Sequence, residues 1–451
     1  MPKTADAATR RPAPGRALWL LGPALVAGVA YLDPGNVASN MTAGATFGYL
    51  LVWVVVLGNV MAWLIQYLSA KLGIVTGESL PQVLGRRIRR PWARRAYWLQ
   101  AELVAMATDV AEVIGGAVAL HLLFGIPLVW GGALTGLVSM GLLLVQTHRG
   151  ARAFETVLIG LLVIIAVGFS AGLLFAPPDA AGVAGGLLPR FEGTTSVLLA
   201  ASILGATIMP HAIYAHSALA RDRFAPAAGD VGVAVRAGVA GAGVAARAGV
   251  VEDPDAAHRA LESARGISTP RLLRATRWDV TIALAVAGTV NLAILLLAAA
   301  NLAGVEGTDS LEGAYAALRD GLGAVVATLF AVGLLASGLA STSVGAYAGA
   351  EIMNGLLRAR IPLVVRRLVT LVPALLILAA GVDPTLALVL SQVVLSFGIP
   401  FALVPLVALT ARAEVLGIHR NRRITTIAGM LASVFLIALN ITLLWLVFSG
   451  G

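Results

Sequence analysis

Eleven apolar segments separated by polar connections are the feature that most constrains how this chain folds. A membrane-spanning helix needs about 20 predominantly apolar residues, and each segment is about that length or longer. The chain is 59% hydrophobic and 12% charged, which excludes a disordered chain and an ordinary soluble enzyme. We therefore predict an all-α polytopic membrane protein whose spans are 17–41, 46–71, 96–123, 127–146, 153–176, 194–219, 278–303, 312–357, 363–381, 384–410 and 424–449.

The eighth segment is too long for one crossing, so we expect an outer amphipathic stretch before a span near 324–355. The absence of cysteine excludes disulfides, thiolate metal sites and iron–sulfur clusters. No resident cofactor is predicted.

The positions of the basic residues predict the orientation. Of the 32 Lys and Arg residues, all but Arg190 and Arg319 fall on one side of the predicted spans. Positive residues are retained in the cytoplasm, so the tail 1–16 is predicted to be cytoplasmic and the C-terminus extracytoplasmic, in the cell membrane. Since the net charge of +9 is spread over every inner connection, we expect the lipid bilayer and not nucleic acid as a partner. No obligate protein partner is evident.

The connection 220–277 is long and unusual in composition. Its stretch 231–251 is rich in Gly, Ala and Val, yet Arg236 and Arg247 interrupt it. We interpret 224–270 as a flexible cytoplasmic loop of low complexity; a further span or a re-entrant hairpin is the alternative.

Polar residues inside a span are costly and mark function. The first span contains Asp33, followed by Pro34, Gly35 and Asn36. Pro and Gly predict an unwound segment with free carbonyls, which is tolerated only beside a buried or watery cavity. The alternative is a simple proline kink with a neutral, hydrogen-bonded Asp33.

The sixth span is interrupted in the same way, by Gly205 and Pro210, with Met209 beside the break and His211 and His216 following. Interrupted helices at matching positions of two halves indicate a transporter binding site. Carboxylate and amide oxygens of Asp33 and Asn36, a carbonyl of Ala206 and the thioether of Met209 would form a mixed site that favours a transition metal.

A second polar row lies in the third span, where Glu102, Asp109 and Glu112 share one helix stripe. Three acids on one face inside a membrane indicate a proton path, and Arg366 and Arg367 could pair with them. The alternative is an ion-pair network that only braces the bundle. Gln392 and Asn291, taken alone, are interpreted as polar contacts between helices.

Asp-Pro-Gly-Asn in the first span with Met-Pro-His in the sixth resembles the Nramp family of divalent-metal transporters. Over about 17–445, flanking stretches agree, among them 43–49, 109–112, 391–397 and 400–402. The resemblance implies a LeuT-like fold with inverted repeats 17–176 and 194–410, span 424–449 as an addition, and proton-linked uptake of Mn²⁺ and Fe²⁺, with Cd²⁺ and Co²⁺ also carried.

The resemblance also implies roles for individual residues. The metal ligands would be Asp33, Asn36, Met209 and the Ala206 carbonyl, with Gln392 joining when an outer gate closes. The proton-linked network would be Asp33, Asp109, Glu102, Glu112, His211, Arg366 and Arg367. The 220–277 loop is longer than is usual in the family.

Three other functions are weighed against metal transport. A LeuT-fold amino-acid/cation symporter would place a substrate carboxylate at the broken helices, where Asp33 is a poor neighbour. A membrane metalloenzyme needs two or three His at ligand spacing and a base, which the sequence lacks. A channel would need a ring-like filter, and nothing in the sequence suggests one. The sequence therefore predicts a transporter and not an enzyme.

Overall fold

The computed structural model describes residues 22–149, 151–225, 254–357 and 363–449. The predicted tail 1–16, the start of the first predicted span and the stretch 231–251 lie outside these residues. Within them, every regular element is a helix. The first half of the chain contains α1 (Pro23–Ala30), α2 (Pro34–Phe47), α3 (Val52–Thr76), α4 (Leu80–Arg87), α5 (Pro91–Phe124), α6 (Leu128–Arg149), α7 (Ala151–Ser170), α8 (Gly172–Phe175) and α9 (Ala180–Gly186).

The second half begins with another pair of helices around a break. Its elements are α10 (Gly193–Thr207), α11 (Pro210–Arg223), α12 (Pro254–Arg265), α13 (Thr269–Asn301), α14 (Leu311–Leu322), α15 (Ala324–Leu357), α16 (Leu363–Ala379), α17 (Pro384–Ala411), α18 (Ala413–Leu416), a 3-10 turn (Gly417–His419) and α19 (Arg423–Ser449).

Eight segments of the described residues are long and apolar enough to cross a membrane. They are Val52–Thr76, Pro91–Phe124, Val157–Phe175, Gly193–Arg223, Thr269–Asn301, Ala324–Leu357, Pro384–Ala411 and Arg423–Ser449. The three remaining predicted spans fall on α1 with α2, on α6 and on α16. The chain is therefore an all-helical, multi-pass membrane protein.

The first helix break lies slightly before the position that the sequence indicated, and the second lies between Gly205 and Pro210. Pro34, Gly35 and Asn36 are helical, and the interruption covers Tyr31 to Asp33. Pro is favoured at the first helical position because its missing N–H needs no partner there. Gly205 is also helical and does not interrupt α10. An added Cβ there would collide with the backbone of Gln392, so this Gly permits close packing of α10 on α17.

Of two further boundaries, one agrees with the sequence prediction and one differs from it. The eighth predicted segment divides as expected, because Gly323 has a φ of 93° between α14 and α15. The prediction of a wholly flexible 224–270 loop is wrong for 254–265, which form α12. Asp255 accepts a hydrogen bond from the Ile418 backbone N (2.9 Å), so this helix docks on the bundle beside the 3-10 turn.

The long helices pack around the two interrupted ones. α5 lies along α15 and α17, α13 contacts α2 and α3, and α10 packs against α17. This arrangement brings the breaks at Asp33 and Met209 into the buried centre of the protein, where both residues are fully inaccessible to solvent.

Candidate functional site

The two breaks place two helix N-termini in the protein centre. Asp33 is the N-cap of α2, and its Oδ1 accepts a hydrogen bond from the Asn36 backbone N at 2.8 Å. Met209 holds the corresponding position before α11. In both cases Pro is the first helical residue, so the same local sequence pattern starts the helix that follows each break.

The first break frees backbone carbonyls that must find partners away from water. The Tyr31 carbonyl accepts from Asn36 Nδ2 (2.8 Å) and from Asn291 Nδ2 (2.9 Å). The Leu32 carbonyl accepts from the Ser337 hydroxyl. Asn291 is therefore an interhelical contact, as the sequence predicted. Ser337 was not singled out, because one Ser in an apolar span carries no distinguishing signal.

Asn36 joins the two breaks directly. Its Nδ2 also donates to the Ala206 carbonyl at 2.8 Å, across 170 residues of sequence. That carbonyl lies in the last turn of α10, where helix carbonyls lack partners within the helix. Because both amide hydrogens are used, the orientation of Asn36 is fixed. Its Oδ1 is buried without a hydrogen-bond partner in the described part of the chain.

Gln392, on α17, completes the group. Its Nε2 donates to Asp33 Oδ2 at 3.1 Å, while its Oε1 is a second buried amide oxygen without a partner in the described residues. Buried polar atoms nearly always have partners. Two amide oxygens without partners, on residues bonded to one carboxylate, therefore indicate a site for a cation.

The donor set matches a borderline transition-metal ion. Asp33, Asn36, Gln392 and the Ala206 carbonyl offer oxygen, and Met209 offers a thioether; all five residues are fully buried. Oxygen donors suit hard ions, whereas a thioether adds affinity for softer ones. Elsewhere in the described ranges, no group of three or more His, Asp or Glu residues is arranged to hold a metal.

The acidic row of α5 meets both arginines of α16. Arg366 Nε lies 2.9 Å from Glu102 Oε1 and its Nη1 lies 3.8 Å from Asp109 Oδ2. Arg367 Nη1 lies 2.9 Å from Asp109 Oδ1 and 3.5 Å from Glu112 Oε2. The sequence-predicted pairing is present, and Glu112 Oε1 and Asp109 Oδ2 lack hydrogen-bond partners among the described residues.

The two histidines of α11 point to different neighbours. His211 Nδ1 is hydrogen-bonded to the Thr108 hydroxyl at 3.1 Å, which places it beside the acidic row. His216 Nδ1 donates to Gln66 Oε1 at 2.7 Å, and Gln66 in turn donates to the Tyr31 hydroxyl. Sequence reasoning missed Gln66, although a Gln in the middle of an apolar span was an available signal.

Comparison with known proteins gives concordant matches. The family described as "Natural resistance-associated macrophage protein-like" (Nramp) matches residues 24–446. A protein of Mycobacterium tuberculosis named divalent metal cation transporter MntH is 56% identical over 432 residues, covering 96% of this chain and 92% of that protein.

Solved structures agree with this match. The Eremococcus coleocola manganese transporter, solved with an aromatic bis-isothiourea compound, superposes with a TM-score of 0.77 at 30% identity, covering 96% of this chain and 87% of that one. MhsT in complex with L-phenylalanine superposes with a TM-score of 0.52 at 14% identity, covering 95% of this chain and 98% of that one. This weaker likeness shows a shared fold alone.

Proposed function

The chain belongs to the Nramp family, whose members are transporters and not enzymes, and on this premise we propose that it imports Mn²⁺ and Fe²⁺ with protons by alternating access. Cd²⁺ and Co²⁺ would also be carried. One observation supports this most strongly. Asn36 and Gln392 each bond to Asp33 and each have a buried oxygen without a partner among the described residues, and Asn36 also bonds to the Ala206 carbonyl at the second break.

The proposed ligands are Asp33, Asn36, Met209 and the Ala206 carbonyl, joined by Gln392 from α17. Asn36 and Gln392 each present an oxygen without a partner among the described residues, so a dication would satisfy both atoms. The proposed proton route begins at Asp33 and continues through His211, Asp109, Glu112, Glu102, Arg366 and Arg367. Its support is the row of buried carboxylates reaching from the centre of the molecule along α5.

The proposed architecture has eleven spans. Repeats 17–176 and 194–410 each begin with an interrupted helix, and 424–449 is added. The sidedness of Lys and Arg supports a cytoplasmic N-terminus and an extracytoplasmic C-terminus in the cell membrane. Transport of an amino acid is disfavoured, because the Asp33 carboxylate already occupies the helix N-terminus that would receive a substrate carboxylate.

Metal uptake into proteoliposomes, with a proton-sensitive dye inside, tests the proposal. Mn²⁺, Fe²⁺, Cd²⁺, Mg²⁺ and Ca²⁺ are compared separately under an inward proton gradient. We expect Mn²⁺, Fe²⁺ and Cd²⁺ to enter with acidification of the lumen, and Mg²⁺ and Ca²⁺ to be excluded. Uptake of phenylalanine with no metal flux would contradict the proposal.

We predict that Asp109→Asn separates proton flux from metal flux. Asn keeps the size of the side chain but removes the charge that lies 2.9 Å from Arg367 Nη1. The protons accompanying each metal ion should fall, while metal uptake persists at a reduced rate; the dye and a metal assay measure both fluxes. Glu351→Gln is the matched control, because it removes an acid that pairs with Arg221 at 3.1 Å, outside the row. An unchanged proton-to-metal ratio in Asp109→Asn would show that the row only braces the bundle.

We predict that Gly22→Arg holds the inner side open. Gly22 has a φ of 142°, which favours Gly. Its N–H donates to Asp279 Oδ1 (3.0 Å), and the Ala24 N–H donates to Asp279 Oδ2 (2.9 Å), which fastens the start of α1 to α13. An Arg side chain would strain this contact and separate the helices.

Single cysteines introduced along α1 and α11 report this opening in a chain without native cysteine. Gly266→Arg is the matched control, since Gly266 also has a positive φ and a Cβ added there would meet no atom within 4 Å. Identical labelling patterns in the two variants would count against an inner gate at Gly22.

A further inference from the structure

A groove rich in arginine opens where α4, α12 and α18 meet. Its volume is about 620 Å³, within the range of about 300–1,000 Å³ that is usual for small-ligand sites. Thr76 at the end of α3 and the buried Val83 and Val415 contribute to its lining. The ionisable side chains of this arginine groove are Glu78, Arg86, Arg87, Arg89, His258, Arg412 and Glu414.

The positive charges of the groove are incompletely matched. Four Arg side chains line it against two Glu side chains, and Glu78 is already engaged by Arg86. Within the described ranges, Arg87, Arg89 and Arg412 take part in no ion pair. Burial and the nearby charge of Arg412 lower the pKa of Arg87, while Glu414 acts in the opposite direction. The groove therefore has a net attraction for anions.

The docked helix α12 forms one wall of the groove. Arg265 Nη1 donates to the Ile74 carbonyl at 2.5 Å, and Asp255 accepts from the Ile418 backbone N at 2.9 Å. These contacts tie α12 to α3 on one side and to the turn after α18 on the other. The groove thus exists because part of the long connection between α11 and α13 is folded against the bundle.

We propose that the arginine groove binds a doubly anionic, phosphate-bearing group. Guanidinium groups bind phosphate oxygens in a bidentate manner, and all the cationic side chains that line the groove apart from His258 are Arg. The group comes either from an anionic phospholipid headgroup or from a soluble diphosphate. The ligand bridges α4 to α12 and α18, and so joins the inner ends of the two halves.

An exposed tryptophan close to the groove in sequence supports a lipid as the source of the phosphate group. Trp92, at the start of α5 and three residues after Arg89, has 67% of its surface exposed. Trp is enriched at the membrane–water interface, and clusters of Arg on the cytoplasmic side of membrane helices attract anionic lipids. The orientation assumed here is the one given under the proposed function, whereas binding itself does not depend on transport.

Binding is measured on the purified full chain in metal-free buffer, so that transport has no influence. One arm adds pyrophosphate to protein in neutral detergent, with chloride at matched ionic strength as the reference. The other arm compares bilayers of phosphatidylcholine with and without diphosphatidylglycerol. In both arms the thermal unfolding midpoint is followed, and pyrophosphate affinity is titrated in the first.

The test variant is Arg87→Gln with Arg412→Gln, and the matched control is Arg420→Gln with Arg422→Gln. Both pairs are exposed and remove equal charge, but only the first lines the groove. We expect at least one ligand to raise the midpoint of the wild type. The affinity of the protein for that ligand should fall by about tenfold or more in the test variant and should be unchanged in the control.

A response to diphosphatidylglycerol alone identifies a lipid source, and a response to pyrophosphate alone identifies a soluble one; both outcomes support the site. The proposal is overturned if neither ligand shifts the wild-type midpoint, or if the control loses affinity as much as the test variant does. Metal uptake by the wild type is assayed separately, so failure of this site leaves the proposed transport function unaffected.

Discussion

Asp33→Ala is expected to reduce Mn²⁺ uptake to the background of empty liposomes. Asp33 is the one carboxylate in the proposed ligand set, and it is fully buried. A dication taken out of water needs a compensating charge. Removing one partner of a buried charge pair costs about 3–5 kcal/mol, so metal affinity should fall by a factor of about 10²–10⁴. Isothermal titration with Mn²⁺ and the uptake assay measure the two losses independently.

A second variant separates ligation from folding. Asp33 also caps α2 by accepting the Asn36 N–H at 2.8 Å, and loss of an N-cap costs about 0.5–2 kcal/mol. Asp33→Asn keeps a capping side chain and removes only the charge, so it should unfold near the wild-type temperature and still fail to transport. Asp320→Ala, an exposed acid on α14, is the control that should retain uptake. Normal Mn²⁺ uptake by Asp33→Asn would refute the site.

Met209→Ala is expected to change which ions are accepted. The thioether adds little affinity for hard ions and more for Mn²⁺, Fe²⁺ and above all Cd²⁺. With Ala, a water molecule can fill the space, and the site becomes an all-oxygen set suited to Ca²⁺ and Mg²⁺. Cd²⁺ affinity should fall by about tenfold or more, equivalent to about 1.4 kcal/mol. Mn²⁺ uptake should persist at a reduced level, and Ca²⁺ or Mg²⁺ should begin to compete.

Met41→Ala is the matched control for this experiment. Met41 lies on α2 and is 1% exposed, but it is outside the proposed ligand set. Both substitutions open a cavity that costs about 2–5 kcal/mol of stability. Only Met209→Ala should alter the ratio of Cd²⁺ to Ca²⁺ inhibition in competition assays on monodisperse protein. Proportional losses for every ion in both variants would mean that Met209 only fills space.

The sequence was sufficient to predict that Asp33 and Met209 lie at two helix breaks. Asp33 and Met209 stand beside Pro in otherwise apolar spans, and proline is disfavoured in the interior of a helix. The fine position of each break was predicted less well, because Pro and Gly were both expected to be unwound. Pro34 and Pro210 instead begin helices, and Gly205 allows close packing on α17.

Long-range partners could not be predicted from the sequence. Nothing in the order of residues shows that Asn36 contacts the Ala206 carbonyl, or that Gln66 links Tyr31 to His216. Such contacts depend on how the helices pack. Helix α12 was missed for another reason: its apolar face is short, and its position is fixed by contacts with α3 and the turn after α18.

The acceptors at the first break have a consequence for biosynthesis. The Leu32 carbonyl is satisfied by Ser337 on α15, and the Tyr31 carbonyl accepts from Asn291 on α13 as well as from the nearby Asn36. Asn291 and Ser337 are translated more than 250 residues after the break. Until those helices insert, the first span would expose the unpaired Leu32 carbonyl to lipid, at a cost of several kcal/mol. The N-terminal half on its own should therefore be a substrate for quality-control proteases, and co-expression of a separate C-terminal half that carries both side chains should protect it.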